Sequence, residues 1–253
     1  MPVFTGVGVA LVTLFDDDGE LDAPATASLA RRLVDAGIRG VVVAGTTGEA
    51  ATLSPDERIK LLEAVRAAVP AEVPVLAGTG APSRRHAAAL TSDAVGHGAD
   101  AVLTLSPPGS FDLESYYRAV ADAAGGTAVL AYHYPNVSAP GIPVDALPAL
   151  LIDGIKDSSG DAARLLHEVD VWDRAVYTGS SALLSYAGPL GCAGAILSLA
   201  NVEPERCIEA FAGDPAAQRA LGPIHRAAHE EFPRRLKELV AERYGTRPAA
   251  RMG

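Results

Sequence analysis

The sequence predicts an α/β protein, a (β/α)8 TIM barrel with extra C-terminal helices. Three observations point there: short apolar runs alternate with segments of helical period, eight such pairs can be counted, and the 253-residue chain has the length of one complete barrel. Residues 7–14 form the first run, continuously apolar as expected of a parallel strand covered on both faces, and residues 24–36 supply the first helix with a proline at its start. The run 40–44 leads to Ser54-Pro55-Asp56-Glu57, a capping box with proline at the first helical position, and Leu61, Leu62, Val65 and Val69 then give an apolar stripe. The same alternation continues through run 74–77 with helix 82–96, run 101–105 with helix 112–124, and run 128–132 with helix 143–151. It closes with run 154–156 and helix 161–169, run 175–178 and helix 181–190, and run 193–197 and helix 204–212. Two further helical stretches, 215–231 and 233–244, complete the chain. Residues 1–213 are therefore expected to form the barrel, and 214–253 a helical extension that packs on it or builds an oligomer contact, one domain overall.

Composition narrows the function. A net charge of −10 without any basic stripe excludes a phosphate-backbone footprint, so nucleic acid is not expected as a partner. Apolar runs such as 40–44 and 193–197 fall far short of the roughly 20 residues a membrane span needs, and no basic segment precedes an apolar one at the N-terminus, so a cytoplasmic protein is expected. Cys192 and Cys207 have no metal-ligand spacing and read as small core hydrophobes. Gly78-Thr79-Gly80 lacks the third glycine of a dinucleotide fingerprint, and there is no phosphate-binding P-loop, so neither NAD nor ATP is implied. His225 and His229 share a helix face at i, i+4, but without a third ligand they read as a solvated face and no metal is expected.

In a parallel barrel the reactive groups sit at the C-terminal ends of the strands. The chain has three lysines, Lys60, Lys156 and Lys237, which makes each worth placing. Lys60 lies on a charged helix and Lys237 in the mixed-charge run 234–242, so both are expected in solvent. Lys156 ends an apolar strand, where desolvation disfavours the ammonium and frees the amine to attack a carbonyl; the competing reading is a strand-end lysine paired with Asp157. Tyr132 ends the neighbouring strand and has a hydroxyl that can both give and take a proton, although a tyrosine at a barrel mouth is commonly only amphipathic packing. The turn Gly45-Thr46-Thr47-Gly48-Glu49 brings two hydroxyls and several N–H groups toward one point, as an anion requires, although taken alone such a turn is more often only a turn. It is the conjunction of the three that points to a site.

These motifs together resemble the dihydrodipicolinate synthase/N-acetylneuraminate lyase family of pyruvate-dependent class I aldolases. The resemblance rests on Gly45-Thr46-Thr47-Gly48-Glu49, Tyr132-x-x-Pro135, Gly154-Ile155-Lys156-Asp157, Gly179-Ser180 and the stretch 194–201, and spans nearly the whole chain. It implies that Lys156 is the Schiff-base lysine, Tyr132 the proton shuttle, and Thr46 with Thr47 the pair that binds the carboxylate of a 2-oxo acid such as pyruvate, with Gly48, Gly179 and Ser180 also at the substrate. It implies no cofactor beyond the covalent imine, and a homodimer or homotetramer, although the C-terminal part is shorter than in known relatives.

Departures from the pattern shape the substrate expectation. Val137 stands where dihydrodipicolinate synthases carry an arginine for the second substrate's carboxylate, and the loop Ser106-Pro107-Pro108-Gly109-Ser110 lacks their relay tyrosine. Tyr134, in Tyr-His-Tyr-Pro, is instead similar to the second tyrosine of archaeal 2-keto-3-deoxygluconate aldolases, which contacts substrate hydroxyls. A pyruvate-dependent 2-oxo-3-deoxy acid aldolase is the expectation. The alternatives are a 4-hydroxy-tetrahydrodipicolinate synthase or sugar-acid dehydratase of the same family, and a non-catalytic barrel that binds a 2-oxo acid.

Overall fold

The computed structural model describes residues 1–109 and 112–252, so Ser110, the last residue of the loop after the fourth expected strand, lies outside the described residues. Eight parallel strands close into a barrel in sequence order: β1 (Gly6–Ala10), β2 (Val41–Val43), β3 (Val75–Gly78), β4 (Ala101–Leu105), β5 (Ala128–His133), β6 (Gly154–Asp157), β7 (Ala175–Thr178) and β8 (Gly194–Leu197). Around them run α1 (Ala23–Asp35), α2 (Pro55–Ala68), α3 (Arg84–Gly96), α4 (Leu113–Ala124), α5 (Ala162–Val171), α6 (Leu184–Leu190) and α7 (Pro204–Phe211). The expected TIM barrel is what the chain forms. Beyond it, α8 (Pro215–His229) packs on α6 and α7, and α9 (Arg234–Tyr244) packs on α8.

Apolar residues on both faces of each strand explain why the runs read as continuous. Leu76, Leu103, Leu130 and Ile196 fill the barrel interior, while Val41, Val75, Val102 and Val129 face the helices. The ring of Phe4 belongs to the interior cluster, packs 4.9 Å from the ring of Tyr177, and its main chain is held by the Tyr177 hydroxyl, which donates to its carbonyl at 2.8 Å. Only glycine fits at position 8, since a Cβ there would lie 2.6 Å from the Phe4 ring. Ser54 and Glu57 make the reciprocal capping-box bonds at the start of α2, and Leu61, Leu62 and Val65 are buried below them.

The structure corrects several expectations. The strand of the first run ends at Ala10 rather than residue 14: Leu11 N–H still donates to the Val42 carbonyl at 2.9 Å, but beyond it side chains claim the amides, Val12 N–H donating to Asn201 Oδ1 and Leu14 N–H to Thr26 Oγ1. The expected helix 143–151 is the short 3-10 helix Val144–Ala149, since Pro148 inside it has no N–H to donate to an α-helical ladder. α6 begins at Leu184, not at residue 181. Lys237, expected in solvent, is fully buried: α9 turns its Leu236–Lys237–Val240 face inward, where Lys237 Nζ donates to Glu49 Oε1 at 2.6 Å and sits 4.3 Å from the centre of the Phe15 ring. Lys60 is exposed and both cysteines are buried and free, as expected. Among the described residues no helix is long and apolar enough to cross a membrane.

Candidate active site

Strand register places the central groups side by side. Lys156 on β6 is level with Tyr132 on β5 and with Tyr177 on β7, so Lys156 and Tyr132 occupy adjacent inward positions near the C-terminal end of the barrel. The amine lies 4.2 Å from the centre of the Tyr132 ring, and Tyr134 stacks on that ring at 5.9 Å between centroids and 19° between planes.

Lys156 is 5% exposed, and burial lowers its pKa from 10.5 to about 7, because the ammonium is desolvated. No carboxylate offsets that cost. Asp157 points to the other face of β6 and is taken by its own partners: Arg164 Nε donates to its Oδ2 at 3.2 Å and Ser159 N–H to its Oδ1 at 2.6 Å. The pairing of Lys156 with Asp157 considered from the sequence is thus not formed. Burial thereby favours the neutral amine, the form that attacks a carbonyl. Burial raises the Tyr132 pKa, while the hydroxyls of Ser158 and Thr46 pull it part of the way back, so the phenol keeps its proton at neutral pH. Burial also pushes the Tyr134 phenol up.

The turn 45–48 follows β2, and the residues bracketing it are strained. Ala44 and Glu49 both hold positive φ, 50° and 54°, a conformation that costs a non-glycine residue about 1 kcal/mol or more. What holds Glu49 there is a set of buried bonds: its carboxylate accepts from Lys237 Nζ and from the main-chain N–H of Arg251 (2.8 Å) and Met252 (2.7 Å). Gly48 is fixed from the other side, its carbonyl accepting from Thr13 Oγ1 at 2.7 Å. After β7, Gly179 leaves room for the lysine: a Cβ there would meet Ser158 Oγ at 1.8 Å and Lys156 Cε at 3.0 Å.

A cavity of about 460 Å³ opens over these groups, a size suited to a small organic acid. Of the residues singled out from the sequence, Thr46, Thr47, Tyr132, Tyr134, Lys156, Gly179 and Ser180 line it; Gly48 does not. Sequence reasoning missed Asn136, Ser158, Ser159, Ser181 and Ser198 in the lining, although the two serines following Lys156 were a visible signal. It also misplaced His225 and His229. Their shared face is not simply solvated, because α8 leans over the barrel mouth and turns both rings into the wall of this cavity. Among the described residues lining it there is no aspartate, glutamate or arginine, and the side chains that can carry a positive charge are Lys156, His225 and His229. A second cavity of about 550 Å³, largely apolar and including Arg58, adjoins the first at Thr46 and Tyr132, and Val137 lines this one instead. The desolvated Lys156 amine lines the smaller cavity and not the larger.

The sequence matches the model of the dihydrodipicolinate synthetase family over residues 3–236. An uncharacterized DapA-like lyase of Halobacterium salinarum is 41% identical over 210 residues, covering 79% of this chain and 68% of that protein. A 4-hydroxy-tetrahydrodipicolinate synthase of Pseudomonas aeruginosa is 36% identical over 247 residues, with coverage of 89% and 83%. Among solved structures, YagE, a prophage protein of the dihydrodipicolinic acid synthase family from E. coli K12 in complex with pyruvate, superposes with a TM-score of 0.89 at 25% identity, covering 100% of this chain and 94% of that one.

Proposed function

The chain belongs to the dihydrodipicolinate synthetase family, and from that premise we propose that it is a pyruvate-dependent aldolase acting on 2-oxo-3-deoxy acids, with Lys156 as the imine-forming residue. The enzyme is a class I, Schiff-base lyase. In the cleavage direction the neutral Lys156 amine attacks the C2 carbonyl, and loss of water leaves a protonated imine. Removal of the C4 hydroxyl proton then breaks the C3–C4 bond. Its electron pair moves into the imine to give an enamine, and an aldehyde departs. Tyr132 carries the proton between the hydroxyl and solvent or C3, Thr46 and Thr47 hold the C1 carboxylate, and protonation of C3 followed by hydrolysis releases pyruvate and restores the amine. The observation that carries this reading is the desolvated Lys156 amine in register with Tyr132, inside a cavity otherwise lined mainly by hydroxyls.

The choice of acceptor rests on charge. The cavity has no guanidinium to hold a second carboxylate or a phosphate, whereas Tyr134, Asn136 and the serines suit an uncharged hydroxylated aldehyde. The relative in Pseudomonas aeruginosa favours a second reading, condensation of pyruvate with aspartate semialdehyde. Side-by-side assays separate them. Pyruvate release from 2-keto-3-deoxygluconate, with background rates on aspartate semialdehyde, is the expected result; the reverse preference would replace the reading with that of a 4-hydroxy-tetrahydrodipicolinate synthase. On the acid that is cleaved, Tyr132→Phe should lose about a hundredfold or more in kcat, the usual contribution of a positioned proton carrier.

A further inference from the structure

We infer that His225 and His229, on a helix outside the eight-unit barrel, form a subsite that reads the hydroxyl groups at the far end of the aldehyde. The inference rests on the aldolase reading and assigns that reaction a specificity element in α8.

Both rings line the Lys156 cavity, and their hydrogen bonds fix how they can be used. His229 Nδ1 lies 2.7 Å from the His225 carbonyl oxygen. A carbonyl only accepts, so Nδ1 carries the hydrogen, and in the neutral ring Nε2 is left with a lone pair. His225 Nδ1 is 2.7 Å from Ser181 Oγ, which occupies that nitrogen and likewise leaves Nε2 without a protein partner among the described residues. Two ring nitrogens, on rings whose centroids are 4.4 Å apart, are therefore available to a ligand.

The pair is also held in place, as a recognition element must be. Gln218, two turns before His225 on α8, donates to the Ser181 carbonyl at 2.9 Å and accepts from Ser185 N–H at 3.0 Å, locking the helix to the loop after β7 and to the first turn of α6. Phe232 stacks beside His229 at 6.1 Å and closes the same wall. Burial lowers the His225 pKa below 6.5, which keeps that ring neutral at physiological pH. Imidazole nitrogens beside serine hydroxyls offer both donors and acceptors. That matches adjacent hydroxyls on an uncharged chain, which likewise donate and accept.

The test compares two 2-oxo acids that share the reacting carbons and differ in the tail: 2-keto-3-deoxygluconate, with a hydroxylated tail, and 4-hydroxy-2-oxopentanoate, with a methyl group. Pyruvate release is measured for wild type, His229→Ala, His229→Gln and His225→Asn, together with the rate of borohydride trapping of pyruvate. His229 is exposed at the end of α8, so its substitution does not remove core packing. The expected result is a loss in kcat/KM about tenfold larger on the hydroxylated acid than on the methyl one for His229→Ala and His225→Asn, trapping within twofold of wild type, and partial recovery in His229→Gln. Equal losses on both acids, or none on either, would overturn the subsite while leaving the aldolase reading intact. Wild-type protein that traps pyruvate but cleaves neither acid would overturn that reading and the subsite with it.

Discussion

Lys156→Met is expected to abolish pyruvate release, a loss on the order of 10⁴-fold or more, and at the same time to make the protein more stable near pH 7. The first effect follows from removing the nucleophile. The second follows from the site's electrostatics: in the unfolded chain the lysine titrates near 10.5, and in the folded protein burial brings it to about 7. Between those values the unfolded state binds one more proton than the folded state, so wild-type stability rises with pH across that window, and below about pH 7 the full cost of the desolvated group is present. Methionine keeps most of the volume and has nothing to desolvate. Urea unfolding at pH 7 and pH 10 should therefore show the variant ahead by a few kcal/mol at the lower pH, on the order expected for a fully buried amine, and the gap narrowing at the higher one. A variant less stable than wild type at pH 7, with no change in the gap by pH 10, would mean that Lys156 is comfortably solvated or paired in the folded protein.

Lys237→Met should cost about 3–5 kcal/mol, the range for removing one partner of a buried ion pair. The pair is enclosed, with both side chains at 0% exposure, and the variant leaves the Glu49 carboxylate with only the Arg251 and Met252 amides. Adding Glu49→Gln removes the stranded charge, so the double variant should recover part of the loss, giving a coupling above about 1 kcal/mol in a double-mutant cycle. The pair also has a functional side. Glu49 is the strained residue that ends the anion turn, and a turn no longer held from behind should bind the substrate carboxylate less well. KM for the 2-oxo acid should accordingly rise more than kcat falls. Single and double variants within about 0.5 kcal/mol of wild type would show that the contact carries no stability.

Much of the fold was legible because a parallel barrel writes its strands as runs apolar on both faces, and Lys156 was conspicuous because a lysine ending such a run has few reasons to be there. Thr46, Thr47 and Tyr132 followed from their own strand ends. Other features had no local signature. Lys237 sits in a run of alternating charge that reads as solvated, and only its partner 188 positions away in sequence explains its burial. His225 and His229 read correctly as one helix face, but whether that face meets solvent or a cavity depends on how α8 leans over the barrel. Asp157 adjoins Lys156 in sequence yet faces away from it, since alternate residues of a strand point to opposite sides, and Arg164 on α5 takes it. The break in the expected helix after β5 did have a signal in Pro148, which the apolar pattern around it overrode.

The most direct test of the account is reduction of wild-type protein with borohydride in the presence of pyruvate, followed by intact-mass measurement and peptide mapping. One pyruvate-derived adduct per chain, on Lys156 and on neither Lys60 nor Lys237, is the predicted result. Folded protein that gives no adduct with pyruvate or other 2-oxo acids, or an adduct on another residue, would contradict the assignment of Lys156 as the Schiff-base lysine.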